Sequence, residues 1–117
     1  MHEMSLALEI LENVQEQISA EVSGKVRVRE IHLRIGRFSG VSVDALQFAF
    51  EMAKTGTPLE STHLHIHETP LVIFCTKCER ETELDSPEFV CPECGSTDTE
   101  VVSGQEMIME SLIIEEH

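Results

Sequence analysis

The organisation of this chain is decided by two short cysteine motifs, Cys75-Thr76-Lys77-Cys78 and Cys91-Pro92-Glu93-Cys94. They contain all four cysteines of the 117-residue sequence, and twelve residues separate them. Two C-x-x-C pairs at this separation are typical of a structural zinc site, because each tight turn presents two thiols to the same ion. Four thiolates close the tetrahedron around the ion, so the motifs favour a structural ion over a catalytic one.

The residues between the motifs predict a β-hairpin that brings the two turns together. We expect a strand over residues 80–84, a turn over 85–88 and a second short strand at Phe89-Val90. This pattern is typical of a zinc ribbon. A module of under about 40 residues buries too little apolar surface to fold alone, so the metal is expected to supply much of its folding free energy. Two disulfides, or a redox C-x-x-C motif, are the competing interpretations.

The composition excludes several classes of protein. The sequence has 22 acidic and 8 basic residues, which gives a formal net charge of −14. A zinc ribbon that binds nucleic acid needs a basic face to replace the counterions of the phosphates, so this charge argues against a nucleic-acid partner. No apolar run approaches the roughly 20 residues that a membrane-spanning helix needs. We therefore expect a soluble cytoplasmic protein, and thiols that serve as metal ligands also suit a reducing compartment.

The first third of the chain predicts a helix and then a strand. Apolar residues three and four apart predict an amphipathic helix over residues 4–22. Its expected stripe consists of Met4, Leu8, Leu11, Val14 or Gln15, Ile18 and Val22, widened by Leu6, Ala7 and Ile10. Gly24 is expected to end this helix, and residues 25–36 alternate as a strand does. Near Arg29 the apolar residues shift from even-numbered to odd-numbered positions, which indicates a bulge or a later start of the strand.

The rest of the chain predicts a second helix and two more strands. Ser42 is expected to be the N-cap of the helix, with Asp44 compensating its dipole rather than binding metal. Its expected buried residues are Leu46, Ala49, Phe50 and Ala53. Residues 62–74 alternate as one strand that runs into Cys75, and residues 107–115 form an apolar run of strand length.

These elements predict an α+β fold in which two helices pack on one face of a three-stranded sheet and a zinc ribbon is inserted. The expected order is helix, strand, helix, strand, zinc ribbon, strand. We expect residues 1–70 and 104–117 to form an α/β domain, and residues 71–103 to form the zinc-ribbon domain.

The amino terminus offers a second metal site with a different set of donors. The α-amine of Met1, the amide nitrogen of His2 and the His2 imidazole can close two adjacent chelate rings, with three nitrogens roughly in a plane. Planar nitrogen-rich sets favour Cu(II) and Ni(II). Glu3, another carboxylate or water could supply a fourth ligand. The alternative is that His2 is an ordinary surface residue, since so short a motif arises often by chance.

Three other histidines, His63, His65 and His67, alternate along the predicted strand. Residues two apart on a strand are about 6.6 Å apart, so one ion reaches two of them only with bent side chains. A solvated polar strand face is the favoured interpretation, and His32 is likewise expected to be an exposed strand residue.

The sequence contains no recognisable nucleophile–base pattern or phosphate-binding loop, so we expect no enzymatic activity.

The chain resembles the HypA family of hydrogenase nickel-incorporation proteins over essentially its whole length. The resemblance is carried by Met1-His2-Glu3 with Ser5 after it, by Ile35-Gly36 followed by Ser39 and Val41, and by the paired C-x-x-C motifs. It implies a nickel metallochaperone for the maturation of nickel–iron hydrogenase and, in some lineages, of urease. The implied partners are a HypB-type GTPase and the precursor of the hydrogenase large subunit.

The resemblance also implies the roles of individual residues. His2 would be the required ligand of the nickel cargo, with Met1 and Glu3 in the same site. The implied ligands of the structural zinc are Cys75, Cys78, Cys91 and Cys94. The oligomeric state, monomer or homodimer, stays open. The alternative from a different class is a zinc-ribbon adaptor that binds another macromolecule and transports no metal.

Overall fold

The computed structural model describes residues 2–21 and 26–116, which form two helices and six strands. In chain order these are α1 (Glu3–Glu21), β1 (Val26–Gly36), α2 (Val43–Ala53), β2 (His63–Thr69), β3 (Leu71–Cys75), β4 (Arg80–Leu84), β5 (Thr99–Ser103) and β6 (Met107–Glu116). The described strands form two three-stranded sheets, with the orders β2-β1-β6 and β4-β3-β5. The predicted α+β class is confirmed, with the cysteine-containing module inserted between β2 and β6.

Helix α1 buries only part of the predicted apolar stripe. Its buried side chains are Leu6, Ala7, Ile10, Leu11 and Val14. Met4 and Leu8 are instead 40% and 52% exposed, so their assignment to the core was wrong. Apolar residues cover much of this helix, and the periodicity alone could not decide which part of the wide stripe faces the core. The predicted Val22 and the helix stop at Gly24 lie outside the described residues.

Strand β1 is continuous, and the side of it that is buried changes along its length. Val28 is buried at an even position, whereas Ile31, Leu33 and Ile35 are buried at odd positions. The change of parity predicted near Arg29 is confirmed. Because the strand does not begin there, the later start is excluded, and the chain accommodates the change between residues 28 and 31 within one strand.

Helix α2 begins as its sequence predicts. The Ser42 hydroxyl accepts a hydrogen bond from the Ala45 amide at 3.3 Å, which is the predicted N-cap, and Leu46, Ala49 and Phe50 are buried. The predicted Ala53 is only half-buried. At the other end, the buried Lys54 donates from Nζ to the Thr62 carbonyl at 2.8 Å.

Pro70 divides the strand that was predicted over residues 62–74. β2 ends at Thr69 and β3 begins at Leu71, and the two strands belong to different sheets. The prediction of a single strand was wrong, because proline has no amide N–H to donate and interrupts a strand ladder.

The module that contains the cysteines is built around β3, which pairs antiparallel with β4 on one side and β5 on the other. The predicted strand over residues 80–84 is confirmed as β4. The predicted strand at Phe89-Val90 was wrong: Phe89 has a φ of 58°, in the left-handed region that strands do not use. The third strand is β5, which the sequence analysis missed.

Chain contacts divide the molecule into two compact units. The first comprises Met1–Leu33, Val41–Ile66 and Met109–His117, and the second comprises Arg34–Gly40 and His67–Ile108. The assignment of a nickel-binding domain and a zinc-ribbon domain to particular residues stays a prediction. Neither described helix is long and apolar enough to cross a membrane.

Two glycines of the second unit meet backbone to backbone. A Cβ added to Gly36 would overlap the carbonyl group of Gly104. Gly104 itself has a φ of +111°, and its carbonyl accepts a hydrogen bond from the Phe38 amide at 2.8 Å. The Gly36 amide donates to the Glu106 carbonyl at 2.7 Å. Only the absence of a side chain allows this close approach.

Candidate metal centres

The four cysteines converge on one point in the second unit. Their sulfur atoms all lie within 4.8 Å of one another. The Cys75 and Cys94 sulfurs are 3.5 Å apart, and the Cys78 and Cys91 sulfurs are 3.7 Å apart. Four thiolates at about 2.3 Å from a tetrahedral zinc ion have sulfurs about 3.8 Å apart. The cluster therefore fits a four-thiolate metal site, and the thiols that sequence analysis grouped are brought together.

Each cysteine pair is shaped by the same one-turn hydrogen bond. The Glu79 amide donates to the Cys75 carbonyl and the Gly95 amide to the Cys91 carbonyl, both at 2.8 Å. The residue that closes each turn has a left-handed backbone, with φ of 58° at Glu79 and 75° at Gly95. Glycine adopts this conformation freely, whereas glutamate does so at a steric cost.

We expect Glu79→Gly to stabilise the module and Gly95→Ala to destabilise it, each by about 1 kcal/mol. Space is available for the new methyl group at Gly95, so only the backbone conformation opposes that change. Thermal unfolding of the zinc-loaded variants measures both effects. Glu79→Ala is the matched control, since it removes the charge and keeps the strained conformation. A gain in Glu79→Ala equal to that in Glu79→Gly would contradict the backbone explanation.

Hydrogen bonds outside the metal ligands fix the two turns relative to each other. The Thr76 amide and hydroxyl both donate to the Asp98 carbonyl, at 3.1 and 2.9 Å. The Thr99 hydroxyl donates to the Phe89 carbonyl at 2.8 Å, and the Cys91 amide donates to the Ser96 carbonyl at 2.9 Å. Asp98 directly precedes β5 and Thr99 is its first residue, so the start of β5 and the residues before it support the geometry of the cluster.

The environment of the thiols favours a bound cation. Cys75 and Cys91 are buried, Cys78 is half-buried and Cys94 is exposed. The Cys78 amide N–H lowers the pKa of Cys75 to about 7, although burial opposes this. Burial, together with the neighbouring thiols, raises the pKa of Cys78 to about 12. Four adjacent thiolates repel one another unless a cation neutralises them, and a divalent ion would supply that charge.

Of the amino-terminal candidates, Glu3 lies beside the start of α2. Met1 is outside the described residues, His2 is exposed, and Glu3 is the first residue of α1. The Glu3 Oε2 atom accepts a hydrogen bond from the Ser42 amide at 3.2 Å. This N–H is the main cause of the lowered pKa of the Glu3 carboxyl, which therefore stays ionised to lower pH. Sequence reasoning identified Ser42 as a cap but missed its contact with a residue 39 positions away.

A second group of donors includes two residues that sequence reasoning had set aside. Glu30, His32 and His65 offer ligand atoms that lie within 4.8 Å of one another. The prediction that His32 is an exposed strand residue was wrong, since its side chain is only 23% exposed. Among the described residues, the cluster does not include the other two histidines of β2, His63 and His67.

The fold and the four-cysteine cluster define a small α+β metal-binding protein with an inserted cysteine module. The family model HypA, described as "Hydrogenase/urease nickel incorporation, metallochaperone", matches residues 1–114. The chain belongs to this family. The family is one of metallochaperones rather than catalysts, which fits the expectation that the chain is not an enzyme.

Relatives that match over nearly their whole length are named hydrogenase maturation factor HypA. The chain is 41% identical to the hydrogenase maturation factor HypA of Roseiflexus sp. (strain RS-1), covering 99% of this chain and 94% of the relative. It is also 41% identical to the HypA of Chlorobium limicola, covering 99% of this chain and 98% of the relative.

The solution structure of the Ni metallochaperone HypA from Helicobacter pylori has a similar fold. It matches with a TM-score of 0.64 and 21% sequence identity, and 96% of each chain is covered. A further solution structure of a HypA protein gives a TM-score of 0.69 at 21% identity, covering 96% of this chain and 94% of that one. At this identity the comparison bears on the fold, and it confirms the α+β architecture.

Proposed function

We propose that this protein binds Ni(II) at its amino terminus and delivers it during the maturation of nickel–iron hydrogenase or urease. The proposal rests on the hydrogen bond between the Glu3 carboxylate and the Ser42 amide, which holds an ionised oxygen donor next to the exposed His2. Membership of a nickel-incorporation family supports nickel as the metal that binds there.

The donors supplied by His2 are its imidazole and its amide nitrogen, and the α-amine of Met1 completes a nitrogen-rich set that suits Ni(II). A cation at the start of α1 opposes the positive end of the helix dipole. The Glu3 carboxylate and a deprotonated His2 amide offset that unfavourable interaction. The His2 carbonyl remains engaged, since it accepts a hydrogen bond from the Leu6 amide at 3.1 Å.

The four cysteines have a different role in this proposal. They bind zinc, which holds the β3–β5 module folded. A closed set of four thiolates suits a permanent structural ion, whereas an open set at a chain terminus suits a cargo that must leave.

We further propose that a HypB-type GTPase and the precursor of the hydrogenase large subunit are the partners, in the cytoplasm. The family description supports a place in nickel incorporation. The formal charge of −14 favours association with basic partner surfaces over anionic ones.

The test is a calorimetric Ni(II) titration of untagged, zinc-loaded protein beside two variants, His2→Ala and His63→Ala. We expect the tight isotherm to be lost in His2→Ala, with affinity falling about 100-fold or more because the imidazole and its chelate ring are removed. His63→Ala is the matched control and is expected to bind as the unmodified protein does.

Zinc content and circular dichroism should be unchanged in both variants. A His2→Ala protein that keeps the tight isotherm would refute the terminal site. No tight binding to the unmodified protein would favour the zinc-ribbon adaptor.

A further inference from the structure

Strands β1 and β2 bring together three metal-binding side chains that are distant in sequence. The two strands are neighbours in the β2-β1-β6 sheet. Glu30 and His32 alternate on β1 with buried Ile31 and Leu33, so they share the face of the strand that is not in the core. His65 reaches the same place from β2. All three belong to the first compact unit.

The distances between these side chains are those of groups that can share one ion. The Nε2 atom of His32 lies 2.8 Å from Oε1 of Glu30, and Nε2 of His65 lies 3.4 Å from the same oxygen. The two imidazole rings are stacked, with centroids 4.7 Å apart and planes 10° apart. Ligands at about 2.0–2.2 Å from a metal ion have donor atoms roughly 3 Å apart, so these donor atoms are already close. The stacked rings must still turn, because the lone pair of each imidazole nitrogen lies in its ring plane and both must face the same ion.

The three side chains of the cluster are partly exposed, so an ion in solvent can reach them. The side chains of His32, Glu30 and His65 are 23%, 26% and 46% exposed. The second carboxylate oxygen of Glu30, Oε2, lies 3.9 Å from Nε of Arg29, whose own guanidinium also contacts Glu115 at 3.4 Å. The Oε2 atom of Glu30 is thus near Arg29, whereas Oε1 is near the histidines. The positive charge of Arg29 also weakens the attraction of the cluster for a cation.

The geometry points to a further metal site, formed by Glu30, His32 and His65, that takes a divalent transition-metal ion. Two imidazoles and one carboxylate suit Ni(II), Zn(II), Cu(II) and Co(II), and three protein ligands leave positions for water. This strand site is separate from the terminal site and from the four cysteines. Because it is open and lies near Arg29, it binds more weakly than either.

The histidine cluster in the structure differs from the histidine series that is visible in the sequence. His63, His65 and His67 alternate along one strand, but His65 contributes to the cluster through its neighbours on β1. His63 is therefore a matched control, since it is an exposed histidine on the same strand, two residues from His65.

The experiment is a calorimetric NiCl2 titration of the zinc-loaded full chain in a His2→Ala background, where the proposed terminal site is silent. We expect one weak site to remain. Adding His65→Gln or His32→Gln should weaken it at least about tenfold, because replacing even an outer partner of a ligand commonly costs that much. Adding His63→Gln should leave it unchanged. Imidazole nitrogen NMR should show nickel perturbing His32 and His65 in the His2→Ala protein.

Two outcomes would overturn the strand site: no binding by the His2→Ala protein at millimolar nickel, or equal loss in the His63→Gln and His65→Gln variants. His65→Gln keeps the test valid if His32→Gln fails to fold, since His65 is the more exposed of the pair. The proposed terminal site is judged separately, by comparing His2→Ala with the unmodified protein, so the two proposals fail independently.

Discussion

Cys91→Ser is expected to release the zinc of the four-cysteine cluster and to unfold the β3–β5 module. The Cys91 side chain is buried, and its sulfur lies 3.7 Å from that of Cys78. The substitution removes one of four thiolates and leaves a buried hydroxyl in its place. Structural zinc sites contribute roughly 10–16 kcal/mol of apparent binding free energy at neutral pH, far more than a small module can lose and stay folded.

Zinc content and amide NMR dispersion measure this effect. Signals of β3, β4 and β5 should collapse, whereas those of α1 and α2 should stay dispersed because their core is formed by other residues. Lys77→Ala is the matched control within the same motif, since its side chain is exposed and its backbone is kept. A Cys91→Ser protein with full zinc content and an intact module would show that three thiolates are sufficient.

The second large effect is expected for Gly36→Ala, which should lower the free energy of unfolding by about 3 kcal/mol. The new Cβ would overlap Gly104 and the amide nitrogen of Gln105, which are backbone atoms that cannot rotate away. Two hydrogen bonds, from Gly36 to Glu106 and from Phe38 to Gly104, would have to lengthen to relieve the overlap.

Chemical denaturation of the zinc-loaded protein measures this loss, and Gly40→Ala provides the comparison. Gly40 belongs to the same segment and has a φ of +88°, but nothing lies within 4 Å of a Cβ placed there. Its replacement should cost only about 1 kcal/mol, from the backbone conformation alone. Equal losses in the two variants would mean that the contact with Gly104 is not tight.

The features that sequence predicted correctly are those encoded locally. The two cysteine motifs define their own turns, and the Ser42 cap acts on an amide three residues away. The apolar parity change in β1 is likewise visible within a few residues. These signals depend on short-range stereochemistry, which the sequence displays directly.

The features that sequence analysis missed depend on contacts between distant residues. β5 has little apolar alternation of its own and exists because β3 pairs with it. A single strand was predicted over residues 62–74 because apolar and polar residues alternate on both sides of Pro70, although proline interrupts a strand. The partners of His65 lie more than thirty positions earlier in the chain, so a spacing of two residues within β2 directed attention to the wrong group.

The uneven burial of the four cysteines has a consequence for the lifetime of the proposed zinc site. An oxidant or a competing chelator that arrives from solvent reaches Cys94, the exposed residue of the four, before the buried Cys75 and Cys91. Oxidation of a thiolate begins where the sulfur is accessible. A sulfenic acid at Cys94 would condense with the thiol of Cys75, whose sulfur is 3.5 Å away, to form a disulfide and release water. Oxidation of the site therefore starts at Cys94, and a thiol reductant that reaches Cys94 can reduce the disulfide again.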